Sequence, residues 1–246
     1  MISKVLFRLA RNRLFDAVVR FGFAHLSALL PVGRVVETPH VIGFCHPKPS
    51  WARHVLFVPK VGIPSLAAVR PDQVAVVREL FGLALKVASR EGLERDGYVV
   101  MVNGGAYQDV GQVHVHLASP APELWYSCPD GVPAEVLLES DGLVAFRHPQ
   151  PRRAAHVVIV PGQGGEVDSA AGVGGSAGEG FDDGFVEGAI VATQELVRSL
   201  RLLDGGYSLV ISRSPGASRG GQSFHLVAGG DASTATAGGA SSGHGA

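Results

Sequence analysis

Two histidines alternate with apolar residues in the segment Gln112-Val-His-Val-His-Leu117. A β-strand turns every second side chain to the same face, so Gln112, His114 and His116 are predicted to share one face while the residues between them enter a core. One imidazole can attack phosphorus while its neighbour donates hydrogen bonds to phosphate oxygens. Metal binding through His114, His116 and His54 is an alternative, although zinc sites use three or four ligands.

A glycine-rich segment, residues 103–111, leads directly into this predicted strand. Glycines let backbone N–H groups approach an anion closely, and the side chain of Asn103 adds a donor. Joined to His114 and His116, the segment predicts a phosphate pocket with a nucleophile at its edge.

The chain contains one unit twice. Residues 43–59 recur as residues 145–161, and a second pair of matching segments follows, residues 97–117 and 206–226. The equivalent positions are His46 and His148, His54 and His156, His114 and Ser223, and His116 and His225. Two copies that differ by one histidine predict a working half and a supporting half.

Composition is typical of a soluble globular protein. The 246 residues are 46% hydrophobic and 17% charged, and the net charge of −1 gives no field that would recruit nucleic acid. Two cysteines, Cys45 and Cys128, cannot form a disulfide framework. The sequence shows neither a secretory signal nor a bilayer-spanning stretch, so the cytoplasm is the expected compartment.

The chain is predicted to divide into an N-terminal amphipathic helix with a linker, two repeated units and a tail. Their ranges are 1–39, 40–127, 128–230 and 231–246, with a Gly-, Ser- and Ala-rich flexible insertion at about 162–184. Residues 3–30 carry the basic amphipathic helix, for which packing across the following domain is favoured over contact with anionic lipid.

Each unit is predicted to run strand, turn, strand, helix, strand, strand. In the first unit these elements are residues 41–44, 54–58, 72–90, 98–102 and 112–117. In the second unit they are residues 143–146, 156–160, 185–200, 207–211 and 222–227. The short alternating runs favour strands and the longer run with helical spacing favours a helix.

The first unit contains, in order, Phe44…Pro49…His54-Val-Leu-Phe-Val-Pro-Lys60, a helix, and Gly97-Tyr98…Asn103…His114-Val-His116-Leu. In these residues the first unit resembles the histidine triad (HIT) superfamily of nucleotide hydrolases and transferases. That family has three histidines alternating with apolar residues, and the middle one attacks the α-phosphate of a nucleotide. Counted from Asn103, the resemblance implies that His114 is the first histidine and His116 the nucleophile. Ala118 holds the third position.

The resemblance also implies which residues surround the reaction. His54 matches a histidine beside the active site, Asn103 matches an asparagine that holds the reacting phosphate, and His46 replaces an aspartate that bonds the ribose. The implied substrate-binding residues are Phe44, His46, His54, Gly111 and Gln112. The second-copy counterparts, in a site kept for its scaffold, are His225, His156 and His148.

The expected fold is α+β, with two HIT-like units that each combine an antiparallel sheet with a helix in an intrachain pseudo-dimer, and further dimerisation is left open. The implied function is hydrolysis of a phosphoanhydride or phosphoester in a dinucleoside polyphosphate or nucleotide conjugate, through a nucleotidyl-histidine. A nucleotidyltransferase or phosphorylase and a non-catalytic nucleotide-binding scaffold are the alternatives. No cofactor is required, although a divalent metal could accompany the substrate phosphates.

Overall fold

The computed structural model describes residues 33–121, 135–140, 142–162, 182–215 and 223–231. The predicted N-terminal helix, nearly all of the flexible insertion and nearly all of the tail lie outside these ranges. Neither helix within the described ranges is long and apolar enough to cross a bilayer.

The described residues form two series of five strands, each with one long helix. The first series is β1 (Arg34–Glu37), β2 (Val41–Cys45), β3 (Arg53–Pro59), α1 (Val74–Arg90), β4 (Tyr98–Gly104) and β5 (Val115–Ser119). The second is β6 (Val136–Ser140), β7 (Leu143–Arg147), β8 (Arg153–Pro161), α2 (Asp183–Ser199), β9 (Tyr207–Arg213) and β10 (Phe224–Asp231). The strands and helices predicted for the two repeated units are present in the predicted order, with shifted ends.

All ten of these strands join one antiparallel sheet, in the order β1-β2-β3-β5-β4-β9-β10-β8-β7-β6. Read outward from the centre, each half of the sheet has the same order of strands. The halves meet at β4 and β9, which pair from Tyr98 opposite Arg213 to Gly104 opposite Tyr207. The predicted α+β class with an antiparallel sheet is therefore confirmed.

Both helices contribute to one hydrophobic core that includes strands of both halves. Phe81 of α1 meets Phe224 of β10 edge to face, with ring centroids 5.4 Å apart. Arg78 of α1 also forms ion pairs with Asp183 and Glu187 of α2, at 3.2 and 3.0 Å. Burial of this shared apolar surface holds the two halves together.

Two strands were not predicted, and the strand that contains His116 begins three residues later than predicted. β1 lies in the range assigned to the linker, and β6 was not predicted, since both are short edge strands whose residues stay partly exposed. β5 begins at Val115 rather than Gln112, because the N–H of Val113 donates to the carbonyl of Ile63, in the loop after β3. The histidine segment therefore enters the sheet three residues later than predicted.

The central strand pairing requires glycine at position 104. A β-carbon added to Gly104 would overlap the buried ring of Tyr207. We expect Gly104→Ala to lower the free energy of unfolding by about 1–3 kcal/mol, the usual cost of overpacking a core. The matched control is Gly82→Ala in α1, where an added β-carbon meets no atom of the described residues within 4 Å. It should be neutral or raise stability by up to about 1 kcal/mol. Urea unfolding of both variants checks the pair, and equal effects would contradict the packing argument.

Candidate functional site

The histidines of the first half converge on one face of the sheet. His54 lies in β3 opposite Ala118, and His116 lies in β5 opposite Leu56 and Met101. Because directly paired residues point to the same face of a sheet, the imidazoles of His54 and His116 are neighbours. His114 immediately precedes β5, and His46 follows β2 in the turn toward β3.

A chain of hydrogen bonds fixes the proton on His116. The N–H of Ser50 donates to Nδ1 of His54 at 3.4 Å, so His54 carries its proton on Nε2. Nε2 of His54 lies 3.0 Å from Nδ1 of His116, and it therefore donates to that atom. His116 must then hold its own proton on Nε2, which is buried and has no hydrogen-bond partner among the described residues. Within that part of the chain, the series of hydrogen bonds thus ends in an N–H group with no acceptor.

His114 has the opposite tautomer. Its Nδ1 lies 2.8 Å from the backbone carbonyl oxygen of Gln112, which can only accept, so the proton is on Nδ1. The lone pair of His114 is consequently on Nε2. The ring centroids of His114 and His116 are 4.8 Å apart. The site therefore places a ring nitrogen with a lone pair beside an N–H donor.

His46 and Trp51 hold the ring of His54 between them. His46 stacks on His54 with centroids 4.1 Å apart and planes 5° apart. Trp51 meets the same ring edge-on at 4.7 Å. Nδ1 of His46 accepts the N–H of Lys48 at 3.0 Å, so the proton of His46 is on Nε2. These contacts fix the orientation of His54 and, through it, that of His116.

The same hydrogen bonds bear on metal binding. His46, His54 and His116 offer nitrogen atoms that lie within 4.8 Å of one another. A metal needs a lone pair from each imidazole, yet His46 and His54 both use Nδ1 to accept a backbone N–H and carry protons on Nε2. The trio of His114, His116 and His54 has the same difficulty at His54. The cluster fits hydrogen-bond donation to an anion better than coordination of a cation.

Burial keeps these imidazoles neutral. Desolvation, assisted by the charges of neighbouring histidines, lowers the pKa of His54 to about 4 and that of His116 to about 2. Desolvation also lowers the pKa of His114, while the hydrogen bond to the Gln112 carbonyl opposes that shift. At neutral pH the rings therefore keep the two tautomers that their hydrogen bonds define.

Asn103 is held by a residue of the second half. It lies at the end of β4 opposite Ser208 of β9, and the Ser208 hydroxyl donates to Oδ1 of Asn103 at 2.7 Å. Because Oδ1 accepts, the Nδ2 hydrogens remain for another partner. Sequence reasoning missed Ser208, since no local pattern identifies a residue supplied by the other half of the sheet.

The glycines after Asn103 have a packing role. Gly104 faces the ring of Tyr207, and Gly105, with a φ of 59°, faces the backbone carbonyl of Leu203. Close approach of the second half therefore explains both glycines. Their predicted role in bringing N–H groups to an anion remains a prediction.

The side chain of Gln112 bonds the loop after β3, although its backbone carbonyl accepts a hydrogen bond from His114. Its side chain is 2% exposed, its Oε1 accepts from Ile63 N, and its Nε2 donates to the carbonyls of Pro59 and Val61. The predicted shared face with His114 and His116 was therefore wrong, because β5 begins only at Val115. Gln112 anchors the loop after β3, which in turn positions the residues that follow it.

The other two predicted substrate-binding residues lie near the histidines in different ways. Phe44 is opposite Leu56, which is opposite His116, so Phe44 lies in the same cross-strand row two strands away. Its ring is 3% exposed and packs with Ile42 and Val58. Gly111 lies in the loop that connects β4 to β5.

The second half repeats the histidine geometry. His148 stacks on His156 with centroids 4.2 Å apart, and Nε2 of His156 lies 3.0 Å from Nδ1 of His225. Ser223 stands where the first half has His114, and its Oγ lies 3.2 Å from Nε2 of His225. Desolvation lowers the pKa of His156 and of His225 to about 3.

The chain is an α+β protein with a cluster of histidines on an antiparallel sheet. A family model and several known proteins match its sequence. The HIT domain model matches residues 30–122. A 14 kDa zinc-binding protein of Zea mays is 35% identical over 100 residues, which cover 39% of this chain and 77% of that protein. The purine nucleoside phosphoramidase of Escherichia coli strain K12 is 25% identical over 116 residues, covering 46% and 92%. The chain belongs to the HIT family.

A solved structure extends the likeness of fold to both halves. The ADP-glucose phosphorylase from Arabidopsis thaliana, determined with bound ADP-glucose, has a TM-score of 0.59 and covers 84% of this chain and 79% of its own. Sequence identity is 11%, so the likeness concerns the fold alone.

Proposed function

We propose that the chain hydrolyses a nucleotide phosphoester or phosphoanhydride through a nucleotidyl-histidine intermediate. The substrate class is a dinucleoside polyphosphate or another nucleotide conjugate. The observation that carries the proposal is the pair of opposite tautomers, a lone pair on Nε2 of His114 and an N–H on Nε2 of His116. The purine nucleoside phosphoramidase activity named for the Escherichia coli relative supports the same class of chemistry.

The tautomers favour an exchange of the two roles expected from the sequence. Nε2 of His114 attacks the α-phosphorus, and the N–P bond forms as the bond to the leaving group breaks. Nε2–H of His116 donates a hydrogen bond to the leaving group, which takes its proton from a water molecule, and the hydroxide so formed then attacks the phosphorus. His114 is released with its lone pair restored. His54 acts as a positioning residue, since its Nε2–H keeps Nδ1 of His116 an acceptor.

This exchange of roles changes whether Ala118 replaces a histidine of the triad. If His114 attacks and His116 donates, the alternating triad covers positions 112, 114 and 116, and the replaced histidine is Gln112. Gln112 has a structural role in the loop after β3. Ala118 then lies outside the triad and removes no reacting group.

Asn103 is proposed to stabilise the charge that builds on the phosphoryl oxygens. Its Oδ1 is occupied by Ser208, which fixes the amide so that Nδ2 is the donor toward the substrate. A donor fixed before the reaction needs no reorganisation in the transition state.

Ser208→Ala tests this positioning role. Loss of one neutral hydrogen bond costs about 0.5–1.5 kcal/mol, so we expect kcat to fall by about 2- to 10-fold with KM nearly unchanged. Ser208→Thr keeps the hydroxyl and should restore kcat. The measurement is steady-state kinetics alongside thermal unfolding. Equal kcat for the alanine variant and the wild type would contradict the role of Ser208.

The proposed function is tested by a substrate screen coupled to trapping. The protein is mixed with adenosine 5′-phosphoramidate or diadenosine tetraphosphate and quenched in base, where phosphohistidine survives. Mass spectrometry of the peptides should find adenylate on His114. Release of AMP with no covalent adduct at any histidine would overturn the mechanism, and absence of AMP release from every nucleotide tested would overturn the function.

A transferase or phosphorylase is the second candidate, favoured by the fold shared with ADP-glucose phosphorylase across both halves. The same adenylated His114 would then react with phosphate or a sugar phosphate instead of water. Added inorganic phosphate should in that case accelerate turnover and convert the product from AMP to ADP. The non-catalytic scaffold predicts nucleotide binding by calorimetry without turnover of any substrate.

We further propose that the two halves form an intrachain pseudo-dimer. The mirrored strand order and the pairing of β4 with β9 support this arrangement. Light scattering should then give a monomer of 25.6 kDa. A stable dimer would show that a further interface exists outside the central pairing.

A further inference from the structure

The second half contains a chain of a hydroxyl and two imidazoles that the proposed nucleotide chemistry does not use. Oγ of Ser223 lies 3.2 Å from Nε2 of His225, and Nδ1 of His225 lies 3.0 Å from Nε2 of His156. His148 stacks on His156 at 4.2 Å. His225 is fully buried, whereas Ser223 is partly exposed, so the hydroxyl lies at the accessible end.

The hydroxyl of Ser223 occupies the position in the second half that His114 occupies in the first half. Ser223 immediately precedes β10, as His114 immediately precedes β5. His225 follows two residues later, as His116 does in the first half. A hydroxyl beside a neutral imidazole is the arrangement that activates a serine, provided that a third group holds the base.

We propose that Ser223 is a second nucleophile, with His225 as its general base and His156 as a positioning residue, and that it acts on the carbonyl carbon of small esters. This role requires the hydroxyl to donate to Nε2 of His225 and Nδ1–H of His225 to donate to Nε2 of His156, the tautomer opposite to that of His116 in the first half. Oγ attacks the carbonyl carbon as its proton passes to Nε2 of His225. The tetrahedral adduct then expels the alcohol, which takes that proton, and leaves an acyl-Ser223 ester that water hydrolyses.

Burial of the base sets the expected speed. Burial of His225 disfavours the imidazolium that forms during attack. Turnover of esters is therefore expected to be slow, and covalent labelling of Ser223 is the more sensitive measurement.

The test uses a fluorophosphonate reporter, which phosphonylates activated serines with release of fluoride. The full chain is labelled at pH 7.5, and labelled peptides are identified by mass spectrometry. Ser223 is expected to react about 100-fold faster than in the urea-unfolded chain. Ser223→Ala should lose the label, whereas Ser199→Ala, which removes a hydroxyl at the end of α2, should keep it. Labelling of Ser223 no faster than in the unfolded chain would overturn the proposal.

Two further variants separate activation from mere accessibility. His225→Gln removes the base and should slow labelling of Ser223 by about 100-fold. His156→Gln retains a hydrogen-bonding partner for His225 and should slow labelling less, with a shifted pH profile. If circular dichroism shows that His225→Gln is unfolded, the test of the proposal is the rate of Ser223 labelling in the native wild type compared with that in the unfolded wild type. Labelling of Ser223 at the wild-type rate in folded His225→Gln would show that His225 is not the base and would also overturn the proposal.

Discussion

Replacing His114 with alanine is expected to lower kcat/KM for nucleotide release by more than about 10⁴-fold, because it removes the nitrogen that is proposed to attack phosphorus. No nucleotidyl adduct should then be recovered. His114 precedes β5, and among the described residues its side chain forms one hydrogen bond, to the carbonyl oxygen of Gln112. The variant should therefore remain folded, which circular dichroism and thermal unfolding check.

His116→Gln is the informative comparison. Loss of one positioned hydrogen-bond donor to the leaving group costs about 10²- to 10³-fold in kcat, and the loss should shrink when the leaving group is already a stable anion. A p-nitrophenyl ester of AMP should therefore be cleaved by His116→Gln far better than adenosine 5′-phosphoramidate. If His114→Ala instead retains the adduct and His116→Gln loses it with every leaving group, the sequence-based assignment of His116 as nucleophile is correct.

The second large effect concerns acid. His54, His116, His156 and His225 are buried, with pKa values of about 4, 2, 3 and 3. In the unfolded chain their pKa is near the ordinary value of about 6.5. Between about pH 6.5 and pH 4 the unfolded chain therefore binds protons that the folded chain does not. Stability is fully present above pH 6.5 and falls as the pH drops through this window.

The size of the acid effect follows from the number of histidines. Each contributes up to about 1.4 kcal/mol per pH unit, and a typical domain has only about 5–15 kcal/mol of stability. We expect the chain to unfold between about pH 5 and pH 4 as a result. Urea unfolding at several pH values should show that the free energy of unfolding changes with pH most steeply by an amount that corresponds to uptake of more than two protons on unfolding.

A matched pair of variants tests the origin of that slope. His156→Gln should reduce the proton uptake on unfolding by one. His40→Gln, which replaces an exposed histidine, should leave the contribution of the buried cluster in place. A slope below one proton in the wild type would show that the buried imidazoles are charged in the folded state.

Local patterns sufficed for much of the fold and for the histidines. The short apolar run that begins at His54, after a proline-rich turn, predicted β3, the run of residues 72–90 predicted α1, and the repeat predicted His156 and His225 as counterparts of His54 and His116. These features depend on side-chain periodicity over a few residues. They could therefore be predicted from the sequence without knowledge of contacts between distant segments.

The remaining features depend on contacts between distant segments. The start of β5 is fixed by a hydrogen bond from Val113 to Ile63, and the support of Asn103 comes from Ser208. The tautomers of His114 and His116 depend on which backbone groups reach each ring. Spacing alone could therefore identify the pair of histidines without assigning their roles.

The pairing of β4 with β9 has a consequence for how such a site can evolve. Asn103 faces Ser208 on one side of the central Met101–Val210 pair, and Val99 faces Ser212 on the other. In an assembly of two identical chains, any mutation would appear at both symmetric positions at once. Covalent joining of the halves removes that coupling, so selection can alter the support of one site and leave the other to acquire different chemistry.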